Sequence, residues 1–233
     1  PSTLWIGEPE ATRRHGEHGM ALYDREQHRS LGFLYGGHDP GVCCRMHSGM
    51  ALWFLGYPRS ALERSRAGLA LARELSHTGS IVNALPFAGI VHQLRGDVEA
   101  VQEIAESLIA LSTEHGFQQW LAFGRVLDGW VQAEQRRGEA PIARLRRDIG
   151  EYRATGNELY VPYFLWLLAT TQLQYGEAAE GLDTIVAALG MADETAARLL
   201  EADLYRLRGE LLLACDPAVA PDAEIAFRQA IDI

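Results

Sequence analysis

Three short clusters hold the side chains of this sequence that could do chemistry. His15-Gly-Glu-His18 puts two imidazoles three residues apart, on one face of any helix that contains them. A zinc centre needs three or four ligands, and no HExxH spacing supplies the rest, so solvated histidines are expected. Cys43, Cys44 and His47 suggest a thiolate site. Adjacent residues leave a helix in different directions, however, and packed, protonated thiols are the expectation. His38-Asp39 has the look of a dyad, but Asp39-Pro40-Gly41 is a turn signal and no nucleophile accompanies it. The carboxylates Glu134, Glu139, Glu151 and Glu158 are spaced like solvated positions, and no pair can be set across a cleft.

Composition narrows the chemistry further. All 21 basic residues are arginine, which removes a Schiff-base lysine, a P-loop lysine and a Ser–Lys dyad from this stretch. The formal charge is −10, and the densest basic cluster, Arg144, Arg146 and Arg147, lies among acidic neighbours, so nucleic acid is not an expected partner. The cysteines number three, two of them adjacent, which is no disulfide framework and points to a reducing, cytoplasmic setting. No apolar run approaches the roughly 18 residues of a membrane span. No catalytic residue, metal or cofactor is assigned, and the chain is read as a non-enzyme.

The elements that position these residues repeat. Small residues stand at Gly49, Gly89, Gly129, Ala169 and Ala202, at intervals of 40, 40, 40 and 33. A second series, Gly56, Gly96, Gly138, Gly176 and Gly209, reads as the turns that follow, with two extra residues near Gln135-Arg136-Arg137 in the third unit. A third series is Ala61, Val101, Ala143 and Gly181, and a fourth is Gly68, Leu108, Gly150 and Ala188. Between these marks the apolar period is helical, as in Val98, Val101, Ile104, Ala105 and Leu108, and no alternation of period two occurs. Glycines at 79, 116, 156 and 190 read as the ends of second helices.

The expected architecture is therefore all-α: a right-handed solenoid of stacked antiparallel helix hairpins in a single domain, residues 1–233. Its units are a half-unit over 1–37, hairpins over about 38–78, 79–116, 117–157 and 158–194, and a partial hairpin over 195–233. The missing first helix before residue 1 and the open apolar pattern at Ile233 suggest truncation at both ends. The order of small residue, turn glycine and Ala223-x3-Phe227-x2-Ala230 resembles the tetratricopeptide repeat with lengthened loops.

Several phrases carry a further resemblance: Tyr23-Asp-Arg-Glu-Gln-His28, Gly37-His-Asp-Pro-Gly41, Ala51-Leu-Trp-Phe-Leu-Gly-Tyr57, Leu94-Arg-Gly-Asp-Val98 and Glu201-Ala-Asp-Leu-Tyr-Arg-Leu-Arg-Gly-Glu-Leu-Leu-Leu213. They resemble the C-terminal repeat region of large bacterial signalling ATPases, some of which carry a class III adenylate or guanylate cyclase domain. The resemblance implies a sensing or scaffolding role beside an ATPase or cyclase elsewhere, and it names no ligand.

In stacked hairpins the first helices line the concave wall. Register from the first small-residue series places Met46, Met50 and Trp53 there, then Asn83, Ile90 and Gln93, then Phe123 and Trp130, Tyr163 and Trp166, and Asp203 and Arg206. Methionines and aromatics give a groove for a protein segment or small effector large, adaptable contact area. A shift of one residue would turn half of them into the core. A different class of function, a structural or oligomerisation arm that packs against another copy, through exposed solenoid ends, or against a neighbouring domain, stays open beside the groove reading.

Overall fold

The computed structural model describes residues 2–28, 31–32, 37–136 and 140–233. Its helices are α1 (Ser2–Trp5), α2 (Pro9–Leu22), α3 (Arg25–His28), α4 (Pro40–Phe54), α5 (Pro58–Glu74), α6 (Thr78–Leu94) and α7 (Val98–His115). After them come α8 (Gln118–Glu134), α9 (Pro141–Arg153), α10 (Val161–Gln174), α11 (Ala178–Thr195), α12 (Glu201–Cys215) and α13 (Ala220–Asp232). No strand occurs among the described residues, and the fold is an all-α array of stacked hairpins.

Where the sequence suggests one continuous domain, backbone proximity groups the chain into two compact units, Pro1–Leu4 with Glu8–Val131 and Trp5–Gly7 with Gln132–Ile233. In the first, α4 packs on its own second helix α5, on the preceding second helix α2 and on the next first helix α6. In the second, α10 likewise packs on α9, α11 and α12, and α12 on α13. Each first helix is thus covered on several sides, which explains near-continuous burial along α4, α6 and α10.

Proline opens several helices, at Pro9, Pro40, Pro58 and Pro141, where its missing N–H is not needed and its fixed φ suits the first turn. Left-handed residues close them. Gly56, Gly96, Arg136 and Gly176 all have positive φ and follow first helices at intervals of forty. Each donates its N–H three residues back, to Trp53, Gln93, Ala133 and Leu173. Ser76, Gly116, Gly156 and Ala196, again forty apart, hold positive φ at the ends of second helices. Ser76, Gly156 and Ala196 donate three residues back, to Arg73, Arg153 and Asp193, and Gly116 four back, to Ser112.

This backbone period corrects the side-chain reading at several points. The third unit has no two-residue insertion: its turn residue is Arg136 (φ +50), while Gly138 lies outside the described residues. Ala143 and Gly150 are consequently exposed, and their repeat positions belong to Pro141 and to the buried Asp148. Gly209 is no turn residue but lies inside α12, where a Cβ would come within 2.6 Å of the Phe227 ring of α13. It continues the series Gly49, Gly89, Gly129 and Ala169 in place of Ala202. Gly79 falls within α6 and Gly190 within α11, and the left-handed ends they were expected to supply fall on Ser76 and Ala196.

Gly49 shows why the first series is small. A Cβ there would meet the Ala61 carbonyl oxygen and the Ser65 amide nitrogen of α5, each at 3.3 Å. Two backbones approach across that point, and nothing flexible lies between them to give way.

Candidate functional site

The positions expected to face a partner divide by burial. In the first unit Met46 shares a face of α4 with Gly49, and its sulfur fills the space over Gly68 of α5, so Met46 belongs to the contact between the two helices. Met50 is as deeply buried, at 1% exposure. Trp53, one turn on, is half-buried. On α6 Ile90 and Gln93 are buried, whereas Asn83 is half-buried and its Oδ1 is enclosed without a hydrogen-bond partner. Phe123 and Trp130 of α8 are buried at 0% and 3% exposure.

In the second unit Tyr163 and Trp166 lie on α10 with ring centroids 6.2 Å apart and near-parallel planes. Both are buried, and burial pushes the Tyr163 phenol well above its ordinary range. The Trp166 Nε1–H is enclosed without an acceptor. On α12 Asp203 is half-buried, and exposed Arg206 lies 3.5 Å from it. Of the residues expected on the wall, Trp53 and Asn83 are half-buried, whereas Met46, Met50, Phe123, Trp130, Tyr163 and Trp166 are buried. Period alone could not separate these positions, because a first helix is packed on more than one side.

The reactive clusters resolve as structural. Asp39 caps α4: its Oδ1 accepts from the Val42 N–H at 3.1 Å and its Oδ2 from the Tyr23 hydroxyl at 3.0 Å. Partial burial and the Asp39 carboxylate push the Tyr23 phenol up to about 12. Among the other carboxylates, Glu134 accepts from Gln174, Glu151 faces Arg147 at 3.9 Å and Glu158 faces Arg153 at 3.4 Å; Glu139 lies outside the described residues. Asp148, which the sequence reading passed over, is buried with Arg147 Nη2 at 2.9 Å and Arg144 Nε at 3.3 Å. Its signal was the Arg144-x3-Asp148 spacing, one helical turn.

Cys43, Cys44 and His47 do come together. With Thr3, Thr12, His15 and Gly16 they line a cavity of about 270 Å³ between α2 and α4. His47 Nδ1 lies 3.0 Å from the Cys43 carbonyl oxygen, which can only accept, so Nδ1 carries the proton. Burial holds the imidazole neutral, with its pKa lowered to about 4. Burial also pushes the Cys43 thiol up to about 11 and raises Cys44, so neither is a ready thiolate. His18 is exposed and does not line this cavity. No group of three or more histidine, cysteine or carboxylate side chains that could hold a metal exists among the described residues. Among them, no helix is long and apolar enough to cross a membrane.

This arrangement, helix hairpins whose turns recur every forty residues from Gly56 to Gly176 with buried small residues at the crossings, defines a tetratricopeptide-like helical-repeat domain. Its fold is similar to that of RapI in the apo form, with a TM-score of 0.54 over 97% of each chain at 11% sequence identity, a likeness of fold alone. No protein-family model matches the chain. In sequence it is similar to an uncharacterized protein of Rhizobium meliloti (strain 1021), 23% identical over 193 residues. That match takes in 83% of this chain and spans 19% of the length of the relative.

Proposed function

We propose that this chain is a non-catalytic sensor or scaffold module that takes a protein segment or small effector against its first helices. Asn83 carries the reading. An enclosed carbonyl oxygen without a donor costs roughly 1–3 kcal/mol, and a donor from a bound partner would recover that cost. A peptide N–H or an effector hydroxyl is the complementary group. Trp53, half-buried on the neighbouring first helix, is a fitting aromatic anchor. The wider setting, a cytoplasmic bacterial signalling protein with an ATPase or nucleotide cyclase domain, rests on the phrase-level resemblance and on a relative far longer than the matched stretch.

Asn83→Leu tests the reading, because it removes the orphaned oxygen at nearly constant volume. The module should unfold no more easily than the parent, while affinity for the partner that co-purifies with it falls at least tenfold. Undiminished binding would contradict the assignment.

Exposed Ile225 and Ile231 on α13 favour one second reading, an arm that packs against another copy. Ile231→Glu should then lower the sedimentation coefficient, and an unchanged monomer in both proteins would dismiss it.

A further inference from the structure

The cavity between α2 and α4 has a counterpart one repeat on, and there it is filled. The short helix α1 ends as the first helices end. Gly7 has φ +83 like Gly56, and the Glu8 N–H reaches the Thr3 carbonyl at 2.9 Å as the Tyr57 N–H reaches that of Leu52 at 2.9 Å. Pro9 then opens α2 as Pro58 opens α5. By this register Thr12 and Gly16 of α2 correspond to Ala61 and Ser65 of α5, and His47 of α4 corresponds to Phe87 of α6.

Over Ala61, Ser65 and Phe87 lies α4 itself. Gly49 sits against the Ala61 carbonyl and the Ser65 amide, and the His47 ring lies 4.5 Å from that of Phe87. Over Thr12, Gly16 and His47 lies the cavity. Its lining suits an apolar helix face: three small or hydroxylic residues, two thiols and one imidazole without charge, with exposed His15 at the rim.

We propose that this cavity is the seat of an amphipathic helix, the body of the first helix whose last turn is α1. It lies across Thr12, Gly16 and His47 as α4 lies across Ala61, Ser65 and Phe87, and bears a small residue where α4 bears Gly49. The inference rests on register and backbone hydrogen bonding in this unit, and is independent of the partner-binding reading. That the matched stretch is only 19% of the Rhizobium meliloti relative is consistent with a helix supplied by the same polypeptide.

Thiol protection reads it directly. In a Cys215→Ser background, which removes the exposed cysteine, residues 1–233 and the polypeptide as its gene encodes it are treated with methyl methanethiosulfonate at pH 9. Modification of Cys43 and Cys44 is followed by mass spectrometry. The seated helix should slow their modification at least tenfold in the encoded polypeptide and raise its unfolding midpoint. Equal rates in the two proteins would overturn the proposal, as would a gene with no helix-forming stretch ahead of Ser2.

Discussion

Gly116 and Ala196, two repeats apart, hold the same left-handed backbone conformation at the ends of α7 and α11, with φ +74 and +54. The following N–H groups close the helices identically, Phe117 onto the Ser112 carbonyl at 2.9 Å and Ala197 onto that of Ala192 at 3.0 Å. Tertiary packing imposes this geometry whether or not the residue is glycine. Alanine is strained there, so Ala196→Gly should stabilise the protein by about 1 kcal/mol, and Gly116→Ala should destabilise it by a similar amount. Urea unfolding of the two variants measures both signs.

Glycines inside the helices should respond oppositely according to what lies over them. A Cβ on Gly150 of α9 would meet nothing within 4 Å, so Gly150→Ala should add about 1 kcal/mol from helix propensity. Gly49 faces backbone at 3.3 Å, and Gly49→Leu should cost about 2 kcal/mol or more as α4 is forced off α5. Equal tolerance at both positions would mean the first series does not mark helix crossings.

How much of this was legible in the sequence depended on whether packing left a mark in side-chain type. The forty-residue period was readable where the crossing required glycine, at Gly49 and Gly89, and where turns used it, at Gly56 and Gly96. It was lost where strained residues stand in, as Arg136, Ser76 and Ala196 do, because a left-handed arginine or alanine leaves no compositional trace. The misplaced turn at Gly138 then hid Asp148 from its repeat position. The residues expected to face a partner were harder still to place. Met46 and Trp53 recur on the same helix, yet one fills space over Gly68 and the other is half-buried, and only the neighbouring helices decide which.

Asp148 is a buried carboxylate between two arginines, and its loss leaves Arg144 without its i+4 acceptor. Arg147 is largely exposed and can return to water, so Asp148→Ala should cost about 2 kcal/mol, below the full penalty of a sealed pair. Thermal unfolding of this variant against Glu151→Ala, an exposed neighbour, separates the buried pair from surface charge.

His47 sets an acid limb of stability. Its folded pKa of about 4 lies below the ordinary 6.5, so the unfolded chain binds the proton more readily. The contribution is complete above pH 6.5 and is lost as pH falls toward 4, by up to about 3 kcal/mol over that window. His47→Phe, which adopts the residue of its counterpart Phe87, should flatten the decline between pH 7 and pH 5 in urea titrations. A slope unchanged by the substitution would assign the acid limb to other groups.

The most direct test of partner binding through the first helices is site-specific photocrosslinking. A benzoylphenylalanine replaces Trp53 on α4 in one protein and the exposed Val186 on the second helix α11 in another. The account predicts a discrete adduct with the partner from position 53 and none from position 186. An adduct from position 186 with none from position 53 would contradict it.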